Sequence, residues 1–192
     1  MSIILLRGFS HCGKDFIGSI LCAKYEYQRF AFADSLKKMV ALSTNCPLSQ
    51  LHSQQGKLEI CKDDPQKRTY RQILIDEALR LRNMNSDIFI DYCCMEIKQY
   101  ESDKVVITDW RYANELEYIE KRFPHFKVIP VHIVRTEQSK SPVDDISEYQ
   151  LVDRNNDYIL YNNMDDTIYS QIDKLINYVN RQVEKKKLIN CD

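Results

Sequence analysis

The apolar run Ile3-Ile4-Leu5-Leu6-Arg7 leads straight into Gly8-Phe9-Ser10-His11-Cys12-Gly13-Lys14-Asp15, and no other feature constrains the chain as much. Two glycines bracket four residues and a lysine follows the second, which is the spacing of a phosphate-binding P-loop. A buried strand ending at Gly8 and a helix opening near Gly13 would aim backbone N–H groups, and the positive end of the helix, at one small volume. The surroundings agree. The chain has only four glycines, two of them in this loop, and Phe16, Ile17, Ile20 and Leu21 follow at helical spacing. Gly8, His11, Cys12, Gly13, Lys14, Asp15 and Phe16 would then surround the phosphates of ATP, with Lys14 reaching the outer ones. Where the motif usually continues with Ser or Thr, this chain has Asp15.

The 192 residues suit one domain with an insertion and a lid, and a formal net charge of -1 argues against nonspecific attraction to nucleic acid or an anionic membrane. Seven cysteines form no C-x-x-C spacing and no histidine pair completes a zinc site, so a reduced, cytoplasmic protein is expected. No stretch approaches the roughly 20 apolar residues of a membrane span, and the amino terminus enters a strand without a cleavage-type leader.

Strand-like runs recur at Ser2 to Arg7, Gln28 to Ala33, Lys104 to Thr108, Lys127 to Val134 and Tyr158 to Tyr161. Several are continuously apolar, as in strands covered on both faces, which predicts an α/β three-layer sandwich around a mainly parallel five-stranded sheet. Helical patterns at Ser35 to Leu42, Leu48 to Lys57, Tyr70 to Arg82 and Ser86 to Gln99 form an insertion, about 35–100, expected to bind substrate. Residues 136–156 read as a lid, and Ile168, Ile172, Leu175, Ile176 and Val179 as the core stripe of a last helix.

The third run ends in Thr108-Asp109-Trp110-Arg111, setting a carboxylate and a guanidinium at the carboxyl edge of the sheet. A carboxylate after a buried strand is placed to organise magnesium, and a guanidinium fork suits a phosphate or a transferring phosphoryl group. His11 and Cys12 supply no group that phosphoryl transfer needs. His125 and His132 read as structural, and Cys93-Cys94, about 100° apart on a helix, as a buried pair.

With these residues in view, the chain resembles the deoxynucleoside monophosphate kinases of bacteriophages and large DNA viruses. The matching strings are Gly13-Lys14-Asp15, Asp34-Ser35-Leu36-Lys37, Tyr70-Arg71-Gln72, Asp109-Trp110-Arg111-Tyr112-Ala113-Asn114-Glu115, Arg135, Ile146-Ser147-Glu148 and Asp157 to Asn162. In that family Asp follows the P-loop lysine. Animal-type phosphomevalonate kinase looks like a distant relative, sharing a loop like Gly13-Lys14-Asp15-Phe16 and a stretch like Val143-Asp144-Asp145. It would be expected to carry a second arginine where this chain has Tyr112.

The resemblance implies transfer of the γ-phosphoryl group of ATP to a (deoxy)nucleoside monophosphate, with Mg2+ as cofactor. It implies catalytic roles for Lys14, Asp109, Arg111 and Arg135, and metal contacts from Asp15 and Asp109. It places Asn162 near the donor base, Lys37, Tyr70, Arg71, Gln72, Arg111 and Tyr112 around the acceptor, and Arg154 in the lid. ATP and the monophosphate are the expected partners, without nucleic acid or membrane, and a homodimer is compatible. Phosphomevalonate kinase and a catalytically silent nucleotide-binding module are the alternatives. A regulatory GTPase is disfavoured, because the chain has no N-K-x-D string.

Overall fold

Five strands order the described residues. In the computed structural model, which describes residues 1–135 and 155–189, they are β1 (Ser2–Arg7), β2 (Gln28–Phe30), β3 (Lys104–Ile107), β4 (Lys127–Val134) and β5 (Tyr158–Tyr161). All pair in parallel, in the order β2-β3-β1-β4-β5. Every residue of β1 is buried, as a central strand requires. The chain is thus an α/β protein built on a parallel five-stranded sheet with flanking helices.

Helix α1 (Lys14–Tyr25) packs against β2 and β3, α7 (Ala113–Arg122) against β4, and α8 (Thr167–Ile189) against β4 and β5. Side chains alternate across the strands. Ile4, Leu6, Val106, Ile129, Val131, Ile133 and Leu160 form one core with Ile17 and Leu21 of α1 and Ile168, Ile172, Leu175 and Val179 of α8. Gly18 lets α1 approach β3 closely, since a methyl there would come within 2.7 Å of Thr108 Cγ2.

The chain divides into two units, one of Met1–Ala31 with Glu96–Asp192 and one of Phe32–Met95. The second holds α2 (Ala33–Ser43), α3 (Leu48–His52), α4 (Gln54–Leu58), α5 (Tyr70–Met84) and the start of α6 (Ile88–Tyr100). Cys93 and Cys94 are both buried, as expected, and neither forms a disulfide.

Three local expectations are corrected. β2 stops at Phe30, because Phe32 is already in right-handed helical conformation as the cap of α2. The helix expected over Leu48 to Lys57 is two short ones, broken at Ser53, whose extended backbone frees its Oγ to accept the Gly56 N–H at 2.8 Å. Helix α7 had no counterpart among the expected elements. Among the described residues, no helix is long and apolar enough to cross a membrane.

Candidate active site

In an open parallel sheet, ligands bind beyond the carboxyl ends of the strands, where successive connections leave in opposite directions. Here β1 lies between β3 and β4, and the loops after β1, β3, β4 and β5 carry Gly8 to Gly13, Asp109 and Arg111, Arg135, and Asn162. All belong to the first unit.

The P-loop needs its glycines. Gly8 has φ 148° and Gly13 φ 97°, and a methyl on Gly8 would sit 2.6 Å from both Cys12 Sγ and the Ile133 carbonyl oxygen. His11 takes φ 63°, and the Cys12 N–H closes a turn on the Phe9 carbonyl at 3.2 Å. Lys14, first residue of α1, folds over the loop: its ammonium donates to the Gly8 carbonyl at 2.7 Å and the Phe9 carbonyl at 3.0 Å. Arg135, just after β4, donates from Nη1 to the His11 carbonyl at 3.2 Å. Asp15 and Phe16 are exposed in the first turn of α1, while Cys12 is buried.

The loop after β3 is anchored from both sides. The Trp110 N–H donates to the Leu6 carbonyl at 3.2 Å, and its buried indole donates to the Tyr112 carbonyl at 2.8 Å. The Glu115 carboxylate, 2% exposed, accepts the Arg111 N–H at 2.8 Å and the Tyr112 N–H at 3.1 Å. The string Asp109 to Glu115 therefore forms a loop with its own internal clamp. Sequence reasoning missed a buried ion pair at the end of β1: Arg7, 5% exposed, pairs through Nε with the buried Asp157 carboxylate. His132 is the register partner of Arg7 on β4, and burial lowers its pKa, reinforced by Arg7 and opposed by Asp157. The signal available in the sequence was a lone arginine closing a continuously buried strand, which demands an anion somewhere.

In the second unit, Lys37 of α2 lies 3.4 Å from His52 Nδ1 and 3.7 Å from Asp34 Oδ1. Arg71 of α5 is exposed and donates to Gln54 Oε1 at 2.9 Å. Their neighbours have local tasks. Gln72 completes a capping box with Thr69, its Oε1 accepting the Thr69 N–H at 2.8 Å. Tyr70 is buried, its phenol pushed up to about 12 by burial and by Cys61. Arg154 lies outside the described residues, as does the expected lid, apart from Asn155 and Asn156 at its end.

Asn162, expected near the donor base, follows β5. It is fully buried, and its side-chain amide donates to the Cys12 carbonyl at 2.9 Å, within the P-loop.

A strand, a glycine-bracketed loop, a helix-opening lysine and the acid and arginine after β3 define a P-loop kinase. The family model for phosphomevalonate kinase matches residues 6–125, and the chain belongs to that family. No curated protein sequence matches it. Among solved structures, a gluconokinase from Sinorhizobium meliloti 1021 is 11% identical over 96% of this chain and 97% of that one, with a TM-score of 0.46. A shikimate kinase from Bacteroides thetaiotaomicron is 14% identical over 93% and 98%, with a TM-score of 0.43. A sugar kinase from Janibacter sp. HTCC2649 is 9% identical over 94% and 95%, also with a TM-score of 0.43.

Proposed function

We propose that this kinase transfers the γ-phosphoryl group of ATP to the phosphate of a small phosphomonoester, and that the acceptor is a nucleoside or deoxynucleoside monophosphate. The observation that carries the reading is the gathering, in one unit and at one sheet edge, of the P-loop with Lys14, Asp109 and Arg111 after β3, and Arg135 after β4. Phosphoryl transfer asks a protein chiefly for positioning and for positive charge around the moving group. Lys14 and the loop N–H groups hold the donor phosphates in this reading. Arg111, its backbone fixed by Glu115, supports charge on the transferring group, and Arg135 adds a second cation from β4.

Magnesium fits the donor set, because Asp15 and Asp109 are hard oxygen ligands in the same unit. Among the described residues there is no cluster of three or more His, Cys, Asp or Glu that could hold an ion by protein groups alone. Magnesium in kinases is bound by one or two carboxylates plus substrate phosphates. Bound there, it would neutralise charge on the phosphates.

The nucleotide acceptor rests on Tyr112, which stands where a second arginine would be expected in an enzyme for phosphomevalonate. An acceptor carrying both a phosphate and a carboxylate asks for that additional cation, whereas a nucleotide offers a ring for an aromatic neighbour. Lys37 and Arg71 are the acceptor-phosphate candidates of the second unit, 32–95, which the reading treats as the substrate-binding part. Phosphomevalonate is the second reading, favoured by the family match over residues 6–125. The test is coupled ADP production from ATP and magnesium across all ribo- and deoxyribonucleoside monophosphates plus phosphomevalonate. Turnover with monophosphates supports the nucleotide reading. Turnover with phosphomevalonate alone replaces it with the second.

A further inference from the structure

Four carbonyl oxygens of the P-loop accept from side chains. Gly8 and Phe9 are taken by Lys14, His11 by Arg135, and Cys12 by the side-chain amide of Asn162. A trans peptide is planar, with its C=O and the next residue's N–H pointing opposite ways. Fixing the Cys12 carbonyl on Asn162 therefore fixes the direction of the Gly13 N–H, at the turn where the loop becomes α1 and where a P-loop aims N–H groups at phosphate.

Asn162 is built for this task. It is 0% exposed, its backbone N–H donates to the Val134 carbonyl at 2.8 Å, and its Oδ1 accepts the Met164 N–H at 3.2 Å. The amide is thus oriented from both ends, with its Nδ2 directed at Cys12. The fit is close enough that a Cβ on Gly13 would collide with that Nδ2. A side chain fully buried, with its oxygen already accepting and its nitrogen already donating, does not present itself to a nucleobase.

We infer that Asn162 is a positioning residue for triphosphate binding: it bolts the carboxyl end of β5 to the P-loop and presets the Gly13 N–H for the donor phosphates, whatever base they carry. The inference rests on the proposed nucleotide-binding role of this loop. A merely structural Asn would change stability alone, and a base contact would change affinity for ATP alone.

The experiment compares wild type, Asn162→Asp and Asn162→Ser for binding of magnesium-ATP and of magnesium with inorganic triphosphate, alongside thermal unfolding and the KM for the acceptor. The Asp variant keeps the shape but replaces the donor with an oxygen facing the Cys12 carbonyl. Loss of one positioning hydrogen bond predicts weakening of both ligands by the same factor, about ten-fold, with the acceptor KM unchanged. Loss of ATP affinity with inorganic triphosphate unaffected would overturn the inference in favour of a base contact, and unchanged affinity for both would overturn it outright. Wild-type protein that binds neither ligand would instead defeat the nucleotide-binding reading beneath it. As a check that needs no variant to fold, the Asn162 carboxamide protons of the wild type should exchange with solvent far more slowly than those of exposed Asn163. Equal rates would contradict the bolt.

Discussion

Replacing Gly18 with alanine should destabilise the protein, although helix propensity alone favours the change. Gly18 is buried in the interior of α1, where alanine would gain about 1 kcal/mol over glycine from propensity. The added methyl would meet Thr108 Cγ2 at 2.7 Å. That methyl is no flexible chain end: Thr108 is β-branched, 2% exposed and joined to the end of β3, so χ1 has little freedom. Overpacking of this kind costs roughly 1–3 kcal/mol, leaving a net loss of up to about 2 kcal/mol once the propensity gain of about 1 is subtracted. Thr108→Ser removes the obstructing methyl and alone costs about 1 kcal/mol for the lost burial. In the double variant the alanine methyl refills that space, so Gly18→Ala/Thr108→Ser should be more stable than either single variant. Urea unfolding of the four proteins measures the coupling. Gly18→Ala more stable than wild type, with additive effects in the double variant, would refute the close-approach argument for α1.

Arg7→Met leaves the Asp157 carboxylate buried without its cation and should cost about 3–5 kcal/mol in denaturant unfolding, most of it recovered in Arg7→Met/Asp157→Leu. Glu115→Ala removes the acceptor of two backbone N–H groups; about 2–4 kcal/mol of stability should be lost, together with turnover, while Glu115→Gln, which keeps an acceptor oxygen, should lose much less of both. In the second unit, the Arg68 side chain and N–H hold Asp64 at about 2, below its unfolded value of 3.8. A depressed carboxylate stabilises above its unfolded pKa, so this contribution should fade as pH falls from about 4 towards 2. Asp64→Asn should flatten that part of the acid-unfolding curve; an unaltered curve would exclude the pair as its cause.

The strands were legible because most are largely apolar runs; β1, β4 and β5 begin and end where the sequence suggested, and β3 stops one residue short of Thr108. β2 overran because Ala31, Phe32 and Ala33 are as apolar as a strand, and only the backbone of Phe32 reveals the turn into α2. Helix α7 was invisible because Leu116 and Ile119 are its main buried apolar anchors amid charged neighbours, with Glu115 buried for its hydrogen bonds rather than its hydrophobicity. The P-loop and the acid and arginine after β3 were readable because spacing along one short segment defines them. The partnerships that hold them were not. Arg7 with Asp157, and Asn162 with Cys12, each join residues 150 positions apart, and nothing local to either member names the other. The jobs of Gln72 and Tyr70 were hidden differently: a cap and a buried phenol look, in sequence, like any polar pair opening a helix.

The measurement that bears most directly on the account is transfer of label from γ-labelled ATP to a phosphate-bearing acceptor, made with wild type, Lys14→Ala and Arg111→Ala side by side. Labelled product is expected with wild type, none with Lys14→Ala, and a large loss of turnover with Arg111→Ala while ATP still binds. Wild-type protein that binds ATP yet labels no acceptor, or Lys14→Ala that transfers label at the wild-type rate, would contradict it.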